Sequence, residues 1–319
     1  MNYMKIIVTG GAGFIGSHLC ERLLNEGHVV LCVDNLISGS KKNIAHLITN
    51  KNFTFLEYDV INPLPENIKA GAVFHLASPA SPNHHSKISY HSLPVETMLV
   101  NTQGTYELLK FCQKNNALFL FASTSEVYGN PKEHPQKETY NGNVSTTGPR
   151  SVYDEAKRFG ETITAHFYRN NLVDARIIRI FNTYGPRMLK EDMRMMVSFI
   201  IQAVKNEPIT IFGNGKQTRS LCYVDDTVDG IIKLMFTKNT KGKIVNVGSS
   251  DEHTVLEYAE IVKKITDSKS EIVFNEELPK DDPLQRRADT TVAKQLLSWE
   301  PKVTLEEGIK KTINFLNNS

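Results

Sequence analysis

The sequence predicts an α/β protein built on a doubly wound parallel sheet, with a smaller C-terminal lobe. Three observations predict it. Short β-rich runs alternate with helical stretches through the first half, a glycine-rich turn joins the first strand to the first helix, and the apolar run ALFLFA ends abruptly in Ser123, Thr124, Ser125 and Glu126. Alternation of this kind dictates parallel pairing through right-handed crossovers, and ligands of such sheets lie beyond the carboxyl ends of the strands.

The elements follow in order. Lys5 to Thr9 (KIIVT) reads as a strand, GGAGFIG as a turn, and SHLCERLLNEG as a helix whose apolar spacing stops at Gly27. VVLCVDNL places Asp34 at a strand end and FTFLEYDV does the same for Asp59. AVFHLAS, the helical stretch ETMLVNTQGTYELLKFCQKN and the strand ALFLFASTS continue the rhythm. Farther on, MVSFIIQAVKN reads as a helix, PITIFG and KIVNVGS as short strands, and TVLEYAEIVKKITD and VTLEEGIKKTINFLNN as helices. The expected division is a dinucleotide-binding domain over 1–180, rejoined by segments at about 215–250, and a smaller substrate-binding lobe over 181–319 interleaved with it.

Composition narrows the function. With 319 residues, 40% hydrophobic and 23% charged, the chain can bury one large core or two. A net charge of +2 with both signs interspersed argues against nucleic acid or a membrane surface as the main partner and leaves room for a small anionic ligand. Cys20, Cys32, Cys112 and Cys222 lack CxxC spacing and read as reduced, buried thiols, with no metal site. The N-terminus enters a strand without a signal-peptide core, and no run of 18 apolar residues follows, so the cytosol is the expected location.

Gly10, Gly13 and Gly16 are spaced GxxGxxG between a strand and a helix. Glycine there permits a tight turn and close backbone approach, so the helix N-terminus can hold a pyrophosphate with its free N–H groups. Asp34 follows about 20 residues on, where a carboxylate binds ribose hydroxyls and repels a 2′-phosphate, which favours NAD over NADP.

Tyr153 and Lys157 lie four residues apart and share a helix face. In that arrangement an ammonium lowers a phenol from its ordinary pKa of about 10, so that a tyrosinate takes a hydroxyl proton as hydride leaves the carbon. Tyr106/Lys110 and Tyr128/Lys132 have the same spacing, but the first lacks a strand-end hydroxyl pair before it and the second contains Gly129 and Pro131. Context selects Tyr153 and Lys157, with Thr124 as a second hydrogen-bonding group for the same substrate hydroxyl.

GGAGFIG, YDEAK and STSEVYG together resemble the extended short-chain dehydrogenase/reductase superfamily, whose members act on nucleotide sugars. STSEVYG, HPQ, GPRSVYDEAKR, RIFNTYGPRM, QTRSLCYVDD, DDPLQRRAD and SWEP are similar, more closely, to the UDP-glucuronate decarboxylases, from about residue 4 to 315. That resemblance implies a Rossmann-type fold and a reaction in which bound NAD⁺ oxidises C4 of UDP-glucuronate, CO₂ leaves, and the returned hydride gives UDP-xylose.

The catalytic set implied is Thr124, Ser125, Glu126, Tyr153, Lys157 and Arg286, the last beside the substrate carboxylate. The cofactor set is Gly10, Gly13, Phe14, Ile15, Gly16, Asp34, Asn35, Asp59, Val60, Leu76, Ala77, Tyr153 and Lys157. Pro79, Asn182, Arg219 and Arg286 complete the substrate side, Asn182 and Arg219 matching positions that hold the diphosphate and uridine. Ser125 stands where related 4,6-dehydratases carry an aspartic acid, which disfavours elimination of water. His84 and His85 read as solvated loop histidines and not as metal ligands. The chain departs from the family pattern at 145–147 (STT), Ala156 and 192–194 (DMR), all bordering the substrate side.

A homodimer is implied by the same resemblance, through the helices containing residues 97–115 and 153–170. Two other functions stay open: a UDP-sugar 4-epimerase or 4,6-dehydratase, which needs no carboxylate-binding arginine, and a non-catalytic NAD-binding regulator, which the intact Tyr/Lys pair argues against.

Overall fold

A computed structural model describes residues 3–278 and 282–317. Seven strands form the central sheet: β1 (Lys5–Thr9), β2 (Val29–Asp34), β3 (Phe53–Glu57), β4 (Ala72–His75), β5 (Leu118–Thr124), β6 (Ala175–Ile180) and β7 (Ile244–Val247). Their order is β7-β6-β5-β4-β1-β2-β3, and every pairing is parallel. The direction of winding reverses between β1 and β4, which opens a crevice at their carboxyl ends.

Both faces of the sheet are covered because successive residues of its strands, which point to opposite faces, are apolar. Ile6, Val8, Phe74 and Leu120 face one core, shared with Leu19 and Leu23 of α1 (Phe14–Asn25). Ile7, Val73, Phe119 and Phe121 face the other, shared with residues of two further helices. Each fully buried Phe or Leu contributes about 2 kcal/mol over its exposed state.

The long helical stretch after β4 has three parts. α2 (Pro94–Leu99) starts on Pro94, a π-helical turn spans Val100–Gly104, and α3 (Thr105–Asn115) ends on Asn116 in the left-handed conformation. Periodicity predicted one unbroken helix. The wide turn lets the buried Asn101 side chain donate to Ser78 Oγ at 2.8 Å and Thr97 O at 2.8 Å, beside the crevice. Such π turns recur where a helix passes a functional site.

α4 (Ser151–Arg169) packs beside this segment, where Gly160 leaves room for the Phe121 ring. α5 (Met195–Val204), α6 (Val224–Phe236), α7 (Val255–Ile265), α8 (Thr291–Leu297) and α9 (Leu305–Asn317) follow. Of the segments expected to be short strands, Ile209–Phe212 pairs in parallel with Ile272–Glu276, while Ile244–Val247 joins the central sheet as β7. A three-stranded sheet sets Thr218–Ser220 between Glu252–Thr254 and Gln285–Arg286, with Arg219 opposite Arg286 in register. Two arginines distant in sequence are thereby delivered to one place. Asp281, which opens the DDPLQRRAD run, lies outside the described residues.

Candidate active site

A cavity of about 810 Å³ runs from the glycine turn, across the carboxyl ends of β1, β4 and β5, to Phe212 and Leu278. Gly10, Gly13, Phe14, Ile15, Gly16, Asp34, Asn35, Asp59, Val60, Leu76 and Ala77 line one end. Thr124, Ser125, Glu126, Tyr153 and Lys157 line its middle, and Pro79, Asn182 and Arg219 the rest. Arg286 alone among the sequence-predicted residues does not line it.

The turn is built for close approach. Gly10 has φ of +72°, and a Cβ there would sit 2.6 Å from Ala77 N; a Cβ on Gly16 would fall inside contact distance of Gly10 O. Gly13 precedes α1 and no side chain caps the first turn, so its amides remain available to an anion. Asp34 accepts from Ala12 N at 3.0 Å and Leu36 N at 2.8 Å. These bonds fix its carboxylate at the end of β2 while burial raises its pKa. Asn35 donates to Asp59 at 3.1 Å, tying two strand ends together. A glycine cradle, open helix amides and a fixed carboxylate at this spacing fit NAD.

Tyr153 is buried on the first turns of α4, stacked on Tyr90 with ring centroids 4.8 Å apart and 10° between planes. Burial pushes the phenol above its ordinary value, and a hydrogen bond with Thr124 works against that. The phenol expected to lie below its ordinary value lies above it here, because burial outweighs the groups that lower it. The Lys157 ammonium is itself desolvated, its pKa brought down to about 7, with Glu161 opposing. Nζ donates to Ala122 O at 2.7 Å and sits 5.7 Å from the Tyr153 ring centroid. One helix face does bring Tyr153 and Lys157 to the hydroxyl-bearing tip of β5. Of the competing pairs, Tyr106 and Lys110 lie on α3 with Lys110 bonded to Glu107, and Gly129, with φ of 61°, ends the turn at Tyr128.

Glu126 Oε2 accepts from Arg150 Nη2 at 2.6 Å and from Arg286 Nη2 at 2.9 Å. Burial alone would raise this carboxyl, but the guanidiniums of Arg286, Arg150 and Arg219 hold it at about 2. Arg286 is 1% exposed and also donates to Ser125 O at 2.9 Å, so it stands behind Glu126 and Ser125, not on the cavity surface. The strand register that aligns it with Arg219 puts it there.

Sequence reasoning passed over Arg150, Tyr90 and Asp282, which all line the cavity. Arg150 had a signal, since it precedes Tyr153 by three residues and so shares its helix face. A cation at a helix N-terminus opposes the helix dipole, and here Glu126 and Asp282 offset it. Asp154, next to Tyr153, is buried and carries an oxygen with no hydrogen-bond partner. Burial and the nearby Glu126 push it up to about 8.

Ala156 is buried in α4; in the DMR run Asp192 and Arg194 pair at 2.6 Å, and Met193, at φ of 57°, lines the cavity. His84 and His85 lie on the same wall with rings 4.2 Å apart. Among the described residues no cluster of three His, Cys, Asp or Glu could hold a metal, and all four cysteines are buried and unpaired.

Residues 6–248 match the NAD dependent epimerase/dehydratase family. The chain belongs to that family. Within it, the chain is 44% identical to UDP-glucuronic acid decarboxylase 1 of Arabidopsis thaliana over 315 residues, 99% of this chain and 70% of the relative. It is 45% identical to UDP-glucuronic acid decarboxylase 1 of Danio rerio over 313 residues, 98% of this chain and 72% of the relative. The solved UDP-glucuronic acid 4-epimerase from Bacillus cereus, in complex with UDP-glucuronic acid and NAD, matches with a TM-score of 0.87 at 30% identity, covering 99% of both chains. As in other members of the NAD dependent epimerase/dehydratase family, the cofactor is NAD. Among the described residues no helix is long and apolar enough to cross a membrane.

Proposed function

We propose that the protein converts UDP-glucuronate to UDP-xylose and CO₂ through oxidation at C4, decarboxylation and re-reduction. The observation that carries this is the likeness to UDP-glucuronic acid decarboxylases, 44% and 45% identical over nearly the whole chain. NAD⁺, when bound, accepts the C4 hydride and returns it, and its positive ring favours ionisation of a neighbouring phenol.

Tyr153 takes the proton of the C4 hydroxyl, with Thr124 sharing the hydrogen bond and Lys157 supplying positive charge while protonated. A ketone at C4 lies two bonds from the carboxylate and takes up the electron pair released with CO₂. Ser125 lines the cavity where an acid would be needed to expel water, and a serine hydroxyl is too weak an acid for that step. Glu126, fixed as a carboxylate, orients the sugar ring. Arg286 acts through Glu126 as a positioning residue, and Arg150 is the guanidinium that faces the substrate. Pro79, Asn182 and Arg219 serve the nucleotide side.

Purified protein incubated with UDP-glucuronate and NAD⁺ tests this by product identification. Release of CO₂ with UDP-xylose is the expected result. A six-carbon uronate inverted at C4 would replace this function with the 4-epimerase one, which the likeness to the solved Bacillus cereus enzyme favours.

The protein is further proposed to be a cytosolic homodimer. Val95, Met98, Leu99 and Tyr106 on α2 and α3, with Phe159 on α4, are exposed apolar groups on the helices named for that contact. The unpaired thiols suit a reducing compartment.

A further inference from the structure

Arg150, at the start of α4, and Arg219, on a strand of the small lobe, both reach one carboxylate. Asp282 Oδ1 accepts from Arg150 Nη1 at 3.2 Å, and Oδ2 from Arg219 Nη2 at 2.7 Å. The arginine side chains are 8% and 11% exposed, that of Asp282 19%. Two nearly desolvated guanidiniums need an anion between them, and losing it would leave buried charge uncompensated. Arg150 is answered by Glu126 through its other terminal nitrogen, and Arg219 Nη1 by Thr218 O at 2.9 Å. Asp282 is thus the carboxylate that both arginines share, and all three residues line the cavity.

We infer that Asp282 is a resident counter-anion: it occupies the position between Arg150 and Arg219 where an anionic group of the nucleotide sugar binds, and the ligand must displace it. The inference rests on the proposed function only in taking a nucleotide diphosphate sugar as the ligand. A phosphate or carboxylate oxygen makes the same charge-assisted hydrogen bonds that Asp282 gives up, so exchange keeps both guanidiniums paired. A neutral nucleoside cannot make that exchange. Asp282 thereby moderates how tightly this end of the cavity holds a charged ligand and leaves uncharged ones unaffected, which makes it an affinity-setting residue for anions.

Calorimetric titration of the full chain, saturated with NAD⁺, tests this with UDP as the charged probe and uridine as the neutral one. In Asp282→Asn, and again in Asp282→Ala, UDP should bind about tenfold more tightly, the equivalent of removing about 1.4 kcal/mol of competition. Uridine affinity should not move. The free variants should melt at lower temperature than the native chain and gain more from UDP.

Unchanged or weaker UDP binding in folded Asp282→Asn overturns the inference, because Asp282 would then be a fixed orienter of the arginines. If the native chain releases CO₂ from UDP-glucuronate while the variant shows that result, only this inference fails. If the native chain binds NAD⁺ but not UDP, the nucleotide-sugar function fails and the inference falls with it.

Discussion

Replacing Tyr153 by Phe separates the phenol's chemistry from its packing. The side chain is 6% exposed and its ring lies on Tyr90 with centroids 4.8 Å apart, so Phe keeps the buried volume and the stack. Only the hydroxyl is lost, with its hydrogen bond to Thr124. Thr124 Oγ1 still accepts from Glu126 N at 3.2 Å, so no partner is stranded, and a lost bond between uncharged groups costs about 1 kcal/mol. Turnover behaves differently. Without the group that removes the C4 hydroxyl proton, the rate should fall about 10²- to 10⁴-fold, or roughly 3–5 kcal/mol of barrier. CO₂ release measures the second effect; urea unfolding and NAD⁺ titration measure the first. Turnover within a few-fold of the native rate, with NAD⁺ binding intact, would refute the assignment of Tyr153 as the base.

Arg286→Ala should abolish CO₂ release while the NAD⁺ dissociation constant stays within a few-fold, since Arg286 touches Glu126 and Ser125 but nothing at the glycine turn. Stability should fall by about 3–5 kcal/mol through loss of a buried ion-pair partner, so Arg286→Lys serves as the folded control; normal CO₂ release by the alanine variant would show that Arg286 does not support the reaction. Gly16→Ala would force a Cβ against Gly10 O and should weaken NAD⁺ binding at least tenfold by calorimetry; unchanged affinity would mean that the dinucleotide does not depend on this turn. Glu126 has its carboxyl lowered in the fold from 4.5 to about 2, so its contribution to stability is complete above about 4.5 and is lost as pH falls through about 2. The difference in unfolding free energy between native chain and Glu126→Gln should shrink across that window in denaturant titrations at successive pH values, and a difference independent of pH would contradict the ion pairing.

What the sequence made legible is what neighbours in sequence decide. β1, the glycine turn, α1 and Asp34 follow from local spacing, and the pairing of Tyr153 with Lys157 follows from one helical turn. The π turn at Val100–Gly104 did not show, because its residues satisfy ordinary helical periodicity and only packing against Ser78 and Val60 gives the wide turn its advantage. The arginine network was hidden for a different reason. Glu126 meets Arg150 from 24 residues away and Arg286 from 160, and Arg150 meets Asp282 from 132. No local pattern encodes such meetings; the register of the Arg219 and Arg286 strands does.

The two acids at this site titrate far apart because burial, with Glu126 beside it, raises Asp154, whereas the arginines outweigh burial at Glu126 and hold it down. Glu126, held at about 2, remains an anion at neutral pH, whereas Asp154, pushed up to about 8, remains mostly protonated. The carboxylates paired with Arg150, Arg219 and Arg286 are then Glu126 and Asp282, which leaves one positive charge in excess. Were Asp154 also ionised, that excess would vanish and the wall would be neutral. Displacing Asp282 has the opposite effect, since it exposes a more positive wall at the moment an anionic ligand arrives. The buried, poorly solvated Asp154 thus has a consequence beyond its own cost: by staying protonated it preserves the charge imbalance that makes this end of the cavity attractive to a diphosphate or a uronate.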